Sequence, residues 1–412
     1  LYNKGKQDKE DMMMNAAMLK EAMTPLERVV AAIGHREPDR VPVYPLLNGC
    51  NRRLIHASYP DWSLKPEVAF EGYVRATEDF QLDVICTLID LSVEAADFGQ
   101  AILYPENEAA HPDYKQCLIQ DVEDYGRLEA IDLPPQGRMM KAVQLNDMLV
   151  RRMGKEYPVV AFVFGPMGTL SMLRGQSNLY MDLLDDPEAV HQGLRAVTDT
   201  LKKYIDRLIS AGVPAIMLDT LFSSRSILSK RMWKQFEYGY VKELADYILA
   251  RGCMTMIHNC GEGIYFDVQI ESIRPSAISF QHLPDDCTSP QELKQKYGGK
   301  TCLIGCIEPT WAPFAPEEEL RDEDFCRLIA TGVDARTAYE VGHREELLQQ
   351  AMRYAAERAA GQAARSIASG GRRVRENRGG SSCVSRPDPR KLSSEELADI
   401  RRRVQGGEKI RF

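Results

Sequence analysis

The stretch Val159-Val160-Ala161-Phe162-Val163-Phe164 carries six apolar side chains in succession and runs into Gly165-Pro166-Met167-Gly168. A strand with one wet face alternates apolar and polar. A run that is apolar at every position fits a strand covered on both faces, as in parallel sheets layered with helices. Shorter apolar runs lie at 41–46, 83–89, 215–218, 254–257, 277–280 and 302–307. Between several of them the spacing becomes helical. Residues 187–210 set Val190, Leu194, Val197, Leu201, Ile205 and Leu208 on one face, residues 232–250 follow the same pattern, and Ser289-Pro290-Gln291-Glu292 opens a further helix. Strand, helix and strand in this order predict βαβ units. Seven such strands predict a (β/α)8 TIM-type barrel with one strand still to be found. The competing doubly wound sheet would want a phosphate-binding turn. Gly165-Pro166-Met167-Gly168 is not GxGxxG, and no Walker loop occurs.

The flanks read differently. Residues 1–23 form a loose polar lead. Thr24-Pro25-Leu26-Glu27 has the cap, first-turn proline and third-position glutamate of a helix start, so an N-terminal helical extension is predicted to about residue 33. The polar stretch 101–133 predicts a hairpin or excursion that Pro134-Pro135 ends. The barrel is assigned to 24–345 and a divergent region to 346–412. In that region 347–364 reads as helix and 392–404 as a short terminal one. Residues 365–391 hold eight basic against two acidic side chains without periodicity, an irregular basic C-terminal tail.

The 412 residues are 44% hydrophobic and 27% charged, enough for a sizeable core. A net charge of -8 argues against nucleic acid as a partner. No run of about 18 apolar residues occurs, so no membrane partner is expected. Ten cysteines are present. The Met/Ala run at 12–19 follows Asp8, Glu10 and Asp11, which is the wrong lead for a secretory signal. Reduced thiols and a cytoplasmic location are expected.

The chemistry centres on Met254-Thr255-Met256-Ile257-His258-Asn259-Cys260-Gly261. Strand ends carry the active sites of β/α barrels. Alternate residues of a strand project to one side, so His258 and Cys260 are expected side by side. An imidazole and a thiolate make half of a tetrahedral zinc site; the competing reading is a core cysteine beside a hydrogen-bonded histidine. Cys306, in the last run, is the next strand-end thiol and a candidate third ligand. Asp90 ends the second run and Asp219 follows the fourth, both placed for a catalytic or capping role. Glu94, Ser224, His282 and Glu308 also follow strands and are candidates for binding substrate at the mouth.

Together these residues resemble the uroporphyrinogen decarboxylase superfamily over roughly 24–330. The landmarks are Thr24-Pro25-Leu26-Glu27-Arg28, Pro38-Asp39-Arg40-Val41-Pro42, Glu94-Ala95-Ala96-Asp97-Phe98-Gly99, Phe164-Gly165-Pro166 and Asp185-Asp186-Pro187-Glu188, with Asp219 after Ala211-Gly212-Val213. The resemblance implies a (β/α)8 barrel. Decarboxylases of this kind carry Arg-Gln-Ala-Gly-Arg-Tyr after the first strand, where this chain has Leu47-Asn48-Gly49-Cys50-Asn51-Arg52-Arg53. Asp90 matches their central aspartate. The other branch holds zinc methyltransferases acting with corrinoid proteins, with His-x-Cys at the fifth strand, as at His258 and Cys260. That branch implies zinc as cofactor, and a corrinoid protein and a small methyl donor or acceptor as partners. Zinc there activates a thiol to take a methyl group from cobalt, or a methylated substrate to give one up. The corrinoid belongs to the partner, because Asp-x-His-x-x-Gly is absent here. A homodimer is compatible with this reading. The branch's eighth-strand Gly-Cys is not found: Thr331-Gly332-Val333-Asp334-Ala335-Arg336-Thr337 stands in its place. Cys306, the remote Cys383, or a diverged end of the chain remain open for the third ligand. The alternatives in function are a decarboxylase of a carboxylated tetrapyrrole or pyrrole, and a degenerate barrel that only binds.

Overall fold

The computed structural model describes residues 22–305. Helix α1 (Pro25–Ile33) opens on the expected capping box, with Thr24 and Glu27 exchanging hydrogen bonds. Helices α2 (Tyr59–Leu64) and α3 (Pro66–Phe80) lead to strand β1 (Ile85–Cys86) and helix α4 (Val93–Asp97). An antiparallel pair, β2 (Ile102–Leu103) and β3 (His111–Pro112), forms the expected excursion. There follow α5 (Arg138–Met153), β4 (Val159–Phe164), α6 (Pro166–Arg174), α7 (Gln176–Asp185), α8 (Pro187–Ser210) and β5 (Ala215–Asp219). The described chain continues with α9 (Lys230–Phe236), α10 (Tyr238–Leu249), β6 (Met254–Asn259), α11 (Phe266–Ile273), β7 (Ala277–Phe280), α12 (Pro290–Tyr297) and β8 (Cys302–Ile304).

Strands β1, β4, β5, β6, β7 and β8 lie side by side in that order, all parallel. They curl into an α/β barrel of TIM type. Strands β1, β4, β5 and β7 are buried at every residue and so on both faces, which is why their runs are so apolar. Val84, Cys86, Val160, Phe162, Ala215, Met217 and Met256 pack with one another inside the curl. Their alternates Ile85, Ala161, Val163, Ile216, Leu218, Ile257 and Ile278 pack outward under the helices. Helix α8 buries the six apolar residues that its spacing predicts.

Four expectations need correction or bounding. Residues 41–46 are not a strand. Pro42 and Pro45 have no N–H for a ladder, Val41 is 82% exposed, and the Val43 N–H goes instead to the Asp83 carboxylate at 2.6 Å. The single helix expected over 232–250 is two, because Glu237 breaks it and turns its side chain inward to accept from Trp233 Nε1. Strand β6 runs two residues further than its apolar run and takes in His258 and Asn259. Residues 1–21 of the lead, the barrel strand still to be found, and the helices and basic tail expected beyond 305 fall outside the described residues. Among the described residues, no helix is long and apolar enough to cross a membrane.

One carboxylate ties the entry of the sheet together. Asp83, with a fully buried side chain, accepts from Arg28 Nη1 and Arg40 Nη1, each at 2.6 Å, and from the Val43 N–H. Arg28 also pairs with Asp39 through Nε and Nη2. Removing one partner of a buried pair strands the other charge. Asp83→Asn is therefore expected to lower stability by about 3–5 kcal/mol. Urea unfolding checks this; a loss below 1 kcal/mol (a few-fold in the unfolding equilibrium) would contradict it.

Candidate active site

Strand β6 builds the centre by simple alternation. Met254, Met256 and His258 of the strand, and Cys260 just past its end, border one cavity of about 940 Å³ on the inner side of the sheet. Thr255, Ile257 and Asn259 turn outward and are fully buried. Asn259, between the two donors, fastens the rim. Its Nδ2 donates to the Thr220 carbonyl at 2.6 Å, and its Oδ1 accepts from the Gly261 N–H at 2.8 Å. The glycine after His-x-Cys has a steric cause, since a Cβ at 261 would collide with the Ser224 hydroxyl.

His258 Nδ1 lies 3.1 Å from Ser279 Oγ on β7, its partner in register. The Phe162 ring lies 6.3 Å from the imidazole, centroid to centroid. Burial lowers the imidazole to about 4, so the ring is neutral at pH 7 and keeps a lone pair for a ligand. Cys260 is exposed toward the cavity. Desolvation raises its thiol, and the Asp219 charge raises it further. Asp219 ends β5 and pairs in register with His258. It is buried, and its Oδ1 accepts from the Leu221 N–H at 3.0 Å. Burial, with a smaller push from Glu237, brings its carboxyl up to about 7.

The structure thus brings His258 and Cys260 to one cavity, with Asp219 buried beside them but not on the cavity lining, and the other candidates elsewhere. Asp90 does not border the cavity. It is held in a two-pronged ion pair with Arg138 at 2.6 and 3.0 Å, with Ser63 and Ser92 also donating to it. Burial opposes its charge, but the Arg138 guanidinium and the Ser92 hydrogen bonds hold the carboxyl below its usual range. Glu94 and Ser224, expected to touch substrate, are enclosed in the wall. Glu94 accepts from the Phe164 N–H, and Ser224 donates to the Leu221 carbonyl. His282 is half-buried, and its neighbour Gln281 borders the cavity instead. Cys306 and Glu308 lie outside the described residues.

Sequence reading missed Arg138, Glu237 and Ser279. Only Ser279 left a signal, as a polar residue within the apolar run 277–280. Glu237 accepts from Met167 N–H at the start of α6. Gly165 lets that helix begin close against β5, where a Cβ would strike the Asp219 carbonyl.

The donor chemistry suits zinc in part. A neutral imidazole near the end of β6 and a thiol just past it share one cavity, and nitrogen with sulfur is a zinc donor pair. Among the described residues no third His, Cys, Asp or Glu joins them in a metal-binding set. Gly305, the last described residue, borders the same cavity.

The buried acids set a pH dependence. Burial pushes Glu94 up to about 8 and Glu237 up to about 7. Unfolded carboxyls titrate near about 4. Between these values the folded chain keeps protons that the unfolded chain has lost, so stability falls as pH rises. His258 acts in the opposite direction, but only below its ordinary value of 6.5. The window from 6.5 to 8 isolates the acids. The denaturant midpoint is expected to fall across it, and Glu94→Gln to flatten the fall. A mutant profile parallel to the native one would refute the assignment to Glu94.

Comparison with known proteins agrees with the sheet and the landmarks. The profile of the Uroporphyrinogen decarboxylase (URO-D) family matches residues 24–342. A uroporphyrinogen decarboxylase of Wolinella succinogenes is 25% identical over 267 residues, 61% of this chain and 72% of that one. The methylcobamide:CoM methyltransferase MtbA of Methanosarcina acetivorans is 21% identical over 244 residues, 58% of this chain and 70% of that one. Among solved structures, a methyltransferase from Methanosarcina mazei superposes with a TM-score of 0.62 at 19% identity, covering 74% of this chain and 89% of that one, a likeness of fold. The family profile spans most of the chain, and the chain belongs to the uroporphyrinogen decarboxylase family.

Proposed function

We propose that this chain is a methyltransferase, moving a methyl group between a small methylated substrate or thiol and a corrinoid carried by a partner protein. Zinc would be held by His258, Cys260 and a third donor outside the described residues. The observation that carries the reading is the placement of His258, near the end of β6, and Cys260, just past that end, on the border of one large and mostly apolar cavity. Bound there, zinc would stabilise a substrate thiolate or polarise a methylated heteroatom.

The chain's own residues supply the rest. Neutral His258 offers a lone pair without first shedding a proton. Cys260 holds its proton until a metal displaces it. Asp219, near neutrality in its titration, is suited to receive that proton or the one from an entering thiol. The apolar walls, with Val160, Met256 and Ala277 among them, exclude water around a nascent thiolate.

A decarboxylase is the second reading, favoured by relatives such as that of Wolinella succinogenes. It would use Asp90 to stabilise a protonated pyrrole. Against it stand the Asp90–Arg138 ion pair and the segment 47–53. There Arg52 donates to the Ala57 carbonyl and Arg53 is exposed.

The purified protein is expected to hold close to one zinc per chain and to lose most of it in Cys260→Ser. It should also move methyl from methylcobalamin to one of a panel of thiols, with Cys260→Ser at least about 10²-fold slower. Stoichiometric zinc unchanged by Cys260→Ser would remove this site. Metal-free decarboxylation of uroporphyrinogen would establish the second reading in its place.

A further inference from the structure

We propose that Ser279 is a positioning residue for His258: its hydroxyl oxygen accepts the Nδ1 proton, which fixes the ring's tautomer and leaves Nε2 as the atom presented to the metal. The inference rests on the zinc reading and adds a residue to it. Strand β7 is apolar, and Ala277 and Ser279 take the inward alternation while Ile278 and Phe280 face outward. Ser279 is thus a hydroxyl placed inside an otherwise apolar stretch of barrel wall. It is 7% exposed. Register sets it directly across from His258, with Oγ 3.1 Å from Nδ1.

Among the described residues this is the one hydrogen bond His258 makes through its side chain. A neutral imidazole carries one proton, on either nitrogen. If Nδ1 donates to Ser279, the lone pair sits on Nε2. If the hydroxyl donates to Nδ1, Nε2 carries the proton and cannot ligate. Binding through Nε2 therefore selects the first arrangement, the usual second partner of a metal-bound histidine. The Phe162 ring on β4 stands near the imidazole and limits its swing. Ser279 then holds the ring's direction before any metal arrives.

The test has two arms. Nitrogen-15 spectra of histidine-labelled apo-protein, with His258 assigned by loss of its signals in His258→Gln, read the tautomer without metal. The expected result is Nδ1–H in the native protein, a mixture in Ser279→Ala, and recovery in Ser279→Thr, which keeps a hydroxyl. Competition against a chromophoric chelator reads zinc affinity. Ser279→Ala is expected to bind about 10–100-fold more weakly and Ser279→Thr to recover most of the loss. Urea unfolding of each variant separates a folding defect from a local one. An Nε2–H tautomer in the native protein, or a Ser279→Ala variant with unchanged tautomer and affinity, overturns the proposal. Native protein with the Nδ1–H tautomer and no affinity for zinc overturns the zinc reading instead, and leaves Ser279 only as the anchor of the ring.

Discussion

The barrel depends on the fixing of its first described strand, and one buried carboxylate does this. Asp83 precedes β1 and gathers Arg28 from the first helix, Arg40 from the following loop and the Val43 backbone N–H. Desolvating two guanidinium groups and a carboxylate is costly unless all find partners. Here they do, with Asp39 closing the far side of Arg28. The Pro38-Asp39-Arg40-Val41-Pro42 landmark is therefore structural. It belongs to the end of the sheet where strands begin, opposite the strand ends that carry His258 and Cys260. That separation of stabilising from reactive polar groups is a habit of β/α barrels.

Much of the fold could be read from residue order because its determinants are local. The Thr24–Glu27 cap, the apolar face of α8 and the doubly buried β4 each follow from spacing within a few residues. The failures had the opposite origin. Val41 to Leu46 looks like a strand by composition, but its prolines and the side chain of Asp83 divert its backbone groups. Asp97 caps α5 through Arg138 and Met139 N–H groups from 41 and 42 positions away, and no window of sequence contains that contact.

The candidate site shows the same divide. His258 and Cys260 were legible because strand parity alone puts them on one face. By residue order Asp90 and Glu94 looked equally suggestive, but β1 ends at Cys86, Glu94 lies on α4, and both side chains are turned into the wall. Their fates are decided by Arg138 and by the Phe164 N–H, which approach from distant parts of the chain. A carboxylate at a barrel mouth reaches solvent only if no buried cation or amide claims it first, and parity cannot report that.

The two donors lie two positions apart, His258 within β6 and Cys260 just past its end, about 7 Å between their Cα atoms. Neighbouring ladders hold His258 on both sides, and Cys260 follows the last laddered residue, Asn259. The imidazole is therefore held as stiffly as the sheet itself, while the thiol sits on the first residue of the loop that follows. Whatever binds there has its fixed anchor in the imidazole, so any adjustment between resting and reacting geometries falls to the thiol and to groups carried on other elements. Exchanging those groups could retune the chemistry while the anchorage stayed as it is.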